Sequence, residues 1–226
     1  MTILCIETST TCCSAAICQD GVAVASRENL SGANHASELP VFIEQLFAEA
    51  HNNWTLDAVA LSQGPGSYTG LRIGTSIAKG ICYGMNIPLI PVDTLQIICA
   101  AIQDEIPTDA LLCPMLDARR MEVYTAMYTP GLDAQTEVVA KVIDEQSFAE
   151  ELLSKNIYFF GDGAEKCQSV IASANAHFLT GILPQAKYMG KSAENATALD
   201  IKQMAYYEPF YLKEFVPAPS HIKGLK

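Results

Sequence analysis

The chain has 226 residues, half of which are apolar, and a formal net charge of −11 at pH 7. Strong nucleic-acid binding needs a basic face that neutralises several phosphates, and 14 Lys and Arg against 25 Asp and Glu argue against one. No stretch approaches the roughly 20 apolar residues of a membrane span, and the N-terminus lacks the basic start of a signal peptide. The composition predicts a globular, cytoplasmic protein with no membrane partner.

The cysteines and histidines show no spacing typical of a metal site. None of the eight cysteines forms a Cys-x-x-Cys pair, so they are predicted to be reduced and structural. Adjacent Cys12 and Cys13 have no functional interpretation. No two histidines lie four residues apart, the spacing that places two imidazoles on one helical face; they are His35, His51, His177 and His221. The sequence predicts no metal site.

The first hundred residues alternate between strand and helix patterns. Short apolar runs predict strands at 2–7, 14–18, 22–26, 56–62 and 87–92, the second and third joined by an Asp-Gly turn at 20–21. Apolar residues at helical spacing predict a helix from about 37, with Pro40 confined to its first turn. Further helices are predicted at 70–83 and 95–102, the latter capped by Asp93. This order indicates a mixed α/β lobe.

The second half repeats this opening in degenerate form. Strands are predicted at 111–116, 122–128, 136–143 and 157–160, followed by a helix to about 173. Pro114 suits an edge strand or a bulge better than a central strand. The first three of these strands follow the pattern of residues 2–28 with an offset of about 110. We predict two similar lobes, 1–104 and 105–226, the second smaller and ending in an extended tail.

The glycine-rich loop at 64–70 is the most informative stretch for chemistry. Backbone N–H groups at such a loop, ahead of a helix, can approach an anion. It is not a Walker loop, because Leu71 stands where the lysine is required. Two interpretations remain open on chemistry alone: an anion site, or a tight structural turn in which Ser67 or Thr69 caps the helix.

The same loop carries a family resemblance. Gly64-Pro65-Gly66-Ser67-Tyr68-Thr69-Gly70-Leu71-Arg72-Ile73-Gly74 resembles the signature of the TsaB (YeaZ) family, bacterial subunits required to make threonylcarbamoyladenosine in tRNA. Further similar segments follow in order along nearly the whole chain: Ile6-Glu7-Thr8-Ser9, His35-Ala36-Ser37-Glu38-Leu39-Pro40, Asp117-Ala118-Arg119 and Pro209-Phe210-Tyr211-Leu212. The resemblance implies duplicated α/β lobes of the actin/sugar-kinase/Hsp70 (ASKHA) type, with mixed sheets flanked by helices.

The resemblance also implies a role. The chain is expected to be a non-catalytic partner of a TsaD-type catalytic subunit and a TsaE-type ATPase, to form a homodimer in isolation, and to meet tRNA only within the complex. No cofactor is expected in the chain itself, and a nucleotide only at a subunit interface. The alternatives are a metallopeptidase-like or ATP-dependent enzyme of the same fold, and a homodimeric interaction protein unrelated to tRNA.

The helix after the loop has one face of small residues flanked by a row of isoleucines. Small residues allow close packing, either inside the lobe or against a second subunit. Family members pair through first-lobe helices, so the resemblance favours the interface. The predicted interface residues are Leu39, Phe42, Gly70, Ile73, Gly74, Ile77, Ala78 and Ile81.

A nucleotide or anion site is a weaker expectation. Glu7 and Asp117 occupy the positions of the two phosphate loops of this fold, and Gly66, Ser67 and Thr69 lie in the glycine-rich loop. Arg119 and Arg120 replace the open turn that a phosphate needs. We therefore expect Glu7 and Asp117 to hold the two hairpin corners together, and we predict no catalytic residues.

Overall fold

The computed structural model describes residues 1–32, 34–49 and 55–213, which contain two five-stranded mixed sheets. In the first sheet the order is β3-β2-β1-β4-β5. The first three strands are antiparallel, whereas β1, β4 and β5 are parallel. The strands are β1 Thr2–Glu7, β2 Cys13–Gln19, β3 Val22–Asn29, β4 Ala58–Ser62 and β5 Leu89–Val92. All five strands predicted in this half are confirmed.

Three helices belong to this half: α1 His35–Ala48, α2 Tyr68–Met85 and α3 Thr94–Ala100. Helices α1 and α2 cover one face of the sheet, where Leu39, Leu46 and Ala78 pack against β1 and β4. Pro40 lies in the second turn of α1, so its predicted confinement to the first turn is wrong. Because proline has no N–H, the carbonyl oxygen of Ala36 lacks its helical hydrogen-bond donor. Ala36 is exposed, so water can donate to this oxygen instead.

The second sheet repeats the topology of the first. Its order is β10-β9-β6-β7-β8, again with three antiparallel strands and two parallel additions. The strands are β6 Leu111–Asp117, β7 Glu122–Thr125, β8 Val139–Val142, β9 Ile157–Phe160 and β10 Ala176–Phe178. The predicted duplication, and with it the ASKHA-type fold class, is confirmed.

Two local predictions in the second half are wrong. Pro114 lies in β6, the central strand of its sheet. The antiparallel pairing of β6 is interrupted at Pro114: Met115 pairs with Thr125 and Leu112 pairs with Tyr128, but Pro114 itself is not paired on this side. The missing N–H of the proline therefore costs no hydrogen bond of this pairing. The predicted helix to about 173 is only a 3₁₀ turn, Glu165–Cys167, and the other helix of this region, α4, spans Ala149–Leu152.

The chain then returns to the first sheet. A 3₁₀ turn at Ala186–Tyr188 and helix α5, Gly190–Asn195, bury Ala186, Met189 and Ala193 against the face opposite α1 and α2. Helix α6, Ile201–Tyr206, packs beside α2 and begins with a capping box of Asp200 and Gln203. The division of the chain at residue 104 stays a prediction, and the tail from 214 lies outside the described residues.

All eight cysteines are free and buried, as predicted. His51 and His221 fall outside the described residues, and the described ones contain no cluster of three His, Cys, Asp or Glu side chains able to hold a metal ion. Over the same residues, no helix is long and apolar enough to cross a membrane.

Candidate functional site

The glycine-rich loop is fixed to the turn that follows β1. Gly66 lies against Ser9 so closely that a Cβ there would be 2.4 Å from the Ser9 carbonyl oxygen. Ser67 donates its backbone N–H to that same oxygen at 2.6 Å. Its side chain accepts a hydrogen bond from Gly70 N at 3.3 Å and caps α2. Of the two interpretations left open, the geometry supports a structural turn with Ser67 as the cap; Thr69 is exposed and does not cap.

The small-residue face of α2 packs inside the lobe, against Thr8. A Cβ on Gly70 would lie 2.0 Å from the Thr8 carbonyl oxygen, and one on Gly74 would lie 2.3 Å from Thr8 Oγ1. Ala78 and Leu39 are also fully buried in the core. The prediction that a partner contacts Leu39, Gly70, Gly74 and Ala78 is therefore corrected, because their own chain encloses them.

The other four predicted interface residues reach the surface. Phe42, Ile73, Ile77 and Ile81 are half-buried, and three of them pack over the core beneath. At 100° per residue, Gly80 and Gly84 lie beside the isoleucines on the outer side of α2. A Cβ at either glycine would meet nothing within 4 Å. We call the six residues the isoleucine face: Phe42, Ile73, Ile77, Gly80, Ile81 and Gly84.

Glu7 closes the corner at the end of β1. It is fully buried, and its Oε1 accepts a hydrogen bond from Ser9 N at 2.5 Å. Burial raises the pKa of the Glu7 carboxyl, an effect that the Ser9 and Ser62 hydroxyls and the charge of His35 partly oppose. His35 Nε2 lies 2.8 Å from the Thr10 carbonyl oxygen, so the start of α1 is attached to the same corner.

Asp117 closes the corresponding corner of the second lobe. Its Oδ1 accepts from Arg119 N at 3.2 Å and pairs with the Lys166 ammonium, while its own N–H donates to Asp162 Oδ1 at 2.9 Å. Arg119 and Arg120 both adopt left-handed backbone conformations. Asp117 therefore joins its own turn to Asp162 and Lys166, which follow β9.

A glycine-containing loop also approaches the corner of the second lobe. Gly161, at φ +105°, packs on the end of β6, where a Cβ would lie 2.3 Å from the Met115 carbonyl oxygen. A Cβ on Gly163 would lie 2.9 Å from Val123 Cγ1 and 3.0 Å from Asp117 N. In each lobe a glycine after a parallel strand lies against backbone near the end of the first strand, although Gly66 contacts the turn after β1 and Gly161 contacts β6 itself.

Residues 208–213, which we call the linking segment, connect the two corners. Phe210 donates its N–H to the Gln63 carbonyl oxygen at 2.7 Å. The ring centroids of Tyr211 and Tyr68 lie 4.8 Å apart. The Arg72 guanidinium lies over the Tyr68 ring, 4.3 Å from its centroid. Lys213 pairs with Glu122 of the second lobe. Sequence reasoning missed these contacts, although the family-like motif at 209–212 marked the place.

A cleft of about 920 Å³ lies between the two corners. Its walls come from the turn after β1, the glycine-rich loop, the Asp117 corner and the linking segment. Four of the residues predicted for an anion or nucleotide site line the cleft, namely Gly66, Ser67, Thr69 and Asp117, whereas Glu7 is fully buried and is not part of the lining. Four of the five predicted residues therefore lie around one cleft, whose lining also includes Tyr68, Tyr124 and Tyr211.

Two lobes of identical strand order, joined around a cleft by their hairpin corners, define a protein of the ASKHA class. Among solved structures, YeaZ from Pseudomonas aeruginosa is similar over 93% of this chain and 99% of its own, with a TM-score of 0.76 and 23% identity. A second Pseudomonas aeruginosa structure, described as similar to peptidase YEAZ, gives a TM-score of 0.79 at 22% identity, covering 94% and 99% of the two chains.

Sequence comparison identifies the family. The family model described as "TsaD: tRNA N6-adenosine threonylcarbamoyltransferase" matches residues 28–214. The tRNA threonylcarbamoyladenosine biosynthesis protein TsaB of Escherichia coli is 35% identical over 129 residues, 57% of this chain and 55% of that protein. Its Bacillus subtilis counterpart is 32% identical over the same shares. This chain spans about half the length of these curated relatives. It belongs to the TsaB (YeaZ) family.

Proposed function

We propose that this chain is a non-catalytic partner subunit of the cytoplasmic machinery that makes N6-threonylcarbamoyladenosine in tRNA. It binds and supports a TsaD-type catalytic subunit, with a TsaE-type ATPase as a further partner, and it pairs with itself in isolation. Family membership supports the pathway, because the curated relatives carry that name. The observation that carries the partner role is the isoleucine face.

The isoleucine face has the properties of a helix-packing surface. Three isoleucines spaced four residues apart stand half-exposed along one side of α2, next to Phe42 of α1. Gly80 and Gly84 leave the helix backbone open beside them, so a partner helix can approach closely. Burying such a face on association removes apolar surface from water at about 25 cal/mol per Å².

The Asp117 corner supports the non-catalytic part of the proposal. The Lys166 ammonium already pairs with the Asp117 carboxylate and donates to the Glu122 carbonyl oxygen at 2.7 Å. Lys213 pairs with Glu122 from the linking segment. In these contacts the charged groups of the corner pair with one another. In a corner that binds phosphate, such groups would instead face the ligand.

Co-purification tests the proposed partner directly. An affinity-tagged chain expressed in its own host is expected to capture the host's TsaD-type subunit in near-stoichiometric amount, identified by mass spectrometry. An untagged strain provides the background. If the tagged chain is recovered intact and without any TsaD-type subunit at repeated preparations, the proposal is wrong.

A second expected result concerns tRNA. Phosphate contacts dominate non-specific nucleic-acid affinity, and a chain of charge −11 repels a polyanion. The isolated chain should therefore bind tRNA only weakly in a filter-binding titration at about 150 mM salt, where exposed charges are screened beyond about 8 Å. Retention is expected once the TsaD-type subunit is added. Tight binding by the isolated chain, weakening steeply with salt, would contradict the proposal.

A further inference from the structure

The two lobes meet at two separate places. In one of them, the apolar side of α3 packs on the second sheet, where Leu95, Ile98 and Phe160 belong to one buried cluster. Within the described part of the chain, no residue of α3 lines the cleft. In the other place, the linking segment runs from the glycine-rich loop to the Asp117 corner and forms part of the cleft lining. The lobes are therefore joined by an apolar core away from the cleft and by one length of backbone at the cleft.

The linking segment is attached to the first lobe by close backbone contact. Phe210 donates its N–H to the Gln63 carbonyl oxygen at 2.7 Å. A Cβ on Gly64 would lie 2.5 Å from the Phe210 carbonyl oxygen, so no side chain fits between the two backbones. From α2, Arg72 Nε donates to Tyr211 Oη at 3.4 Å. These contacts hold the segment against the glycine-rich loop and the start of α2.

One lysine attaches the other end of the segment to the second lobe. Lys213 forms an ion pair with Glu122 of β7 and donates to the Ala118 carbonyl oxygen at 3.5 Å. Its ammonium also lies 5.7 Å from the centroid of the Tyr124 ring. The side chains of Lys213 and Glu122 are 37% and 24% exposed, so salt screens this pair less than it screens a fully exposed pair.

The length of the segment limits how far the lobes can separate at the cleft. Residues 210 to 213 are joined by three Cα–Cα steps, which span at most roughly 11 Å when fully extended. The two corners therefore stay close while both ends are attached. Lobes open by rotating about a hinge that stays in contact. We infer that the linking segment is a latch across the cleft, that Lys213 fastens it to the second lobe, and that the apolar cluster at α3 is the hinge.

The latch also connects the second lobe to α2. Tyr68 and Arg72, in the first two turns of α2, both contact Tyr211. Further along the same helix, Lys79 donates to the Tyr207 carbonyl oxygen at 2.7 Å. The chain from Tyr207 to Lys213 thus follows α2 before it crosses to Glu122. The latch acts in the free chain, whatever partner binds the isoleucine face.

A distance measured between the lobes tests the latch. Nitroxide labels on Glu44→Cys in α1 and Glu150→Cys in α4 occupy exposed positions, whereas the native cysteines are buried. Double electron–electron resonance on this labelled chain is expected to give one narrow distance distribution. Lys213→Glu places two carboxylates together, so the distribution should broaden about twofold or more as the lobes separate. Lys213→Met removes the charge but keeps the apolar stem, and it should broaden the distribution less.

Two further variants of the labelled chain show whether the ion pair is responsible. Exchanging both charges, Lys213→Glu together with Glu122→Lys, should restore the narrow distribution. Lys187→Glu is the matched control, because Lys187 pairs with Glu28 at 3.2 Å and neither residue lines the cleft; it should leave the distribution narrow. A narrow distribution in both Lys213 single variants would overturn the inference. So would equal broadening in Lys187→Glu, or a charge exchange that restores nothing.

Discussion

Replacing Gly70 by alanine is expected to lower the free energy of unfolding by about 1–3 kcal/mol, or more, because the new methyl group has no space. Its carbon would lie 2.0 Å from the Thr8 carbonyl oxygen, a backbone atom that cannot rotate away. The Thr8 hydroxyl also donates to the Gly70 carbonyl oxygen at 2.8 Å, so any shift of α2 breaks a buried hydrogen bond. Urea unfolding followed by circular dichroism measures the loss.

Gly80→Ala is the matched control on the same helix. A Cβ at Gly80 meets nothing within 4 Å, and alanine is favoured over glycine in a helix by up to about 1 kcal/mol. This variant is therefore expected to be as stable as the wild type or more stable. Equal stability of Gly70→Ala and Gly80→Ala would show that the small-residue face does not pack on Thr8.

Gly80→Glu is expected to weaken association with the TsaD-type subunit at least tenfold while leaving the fold intact. The position is exposed and open, so the carboxylate is solvated in the free chain. In the proposed complex it would be desolvated beside Ile77 and Ile81 without a partner, which costs several kcal/mol. Isothermal titration calorimetry measures the affinity, and the melting temperature reports on the fold.

Leu153→Glu provides the control for the added charge. Leu153 is 84% exposed and follows α4 in the second lobe, far in sequence from α2. The Leu153→Glu substitution introduces the same carboxylate at an apolar surface position, and it is expected to leave the affinity for the TsaD-type subunit unchanged. If both variants bind the partner as well as the wild type, the isoleucine face is not the docking surface.

The fold followed from the sequence where local patterns were strong. The apolar runs of β1 and β4 and the Asp-Gly turn between β2 and β3 indicated the first sheet, and their recurrence indicated the second. The helix predicted after Gly163 failed because Ala164, Cys167 and Ile171 have helical spacing yet reach the core through a 3₁₀ turn. Their spacing alone does not distinguish a helix from successive turns.

The sequence identified the residues of the candidate site better than it identified what each residue does. Helix α2 carries two sets of small residues, Gly70, Gly74 and Ala78 on one side and Gly80 and Gly84 on another, and both have the period of a helix. Only the position of Thr8 decides which set is buried, and that contact spans about sixty residues of chain. The linking segment depends on still more distant contacts, such as Lys213 with Glu122. Such contacts leave no local periodicity.

Reconstituted modification of tRNA tests the central claim most directly. The TsaD-type subunit and the TsaE-type ATPase from the same genome are supplied with their substrates and unmodified tRNA, and N6-threonylcarbamoyladenosine is measured by mass spectrometry of the digested tRNA. The account predicts modification when this chain is present, none when it is omitted, none by the chain alone, and a strong reduction with Gly80→Glu but not with Leu153→Glu. Full modification without this chain, or transfer catalysed by this chain alone, would contradict it.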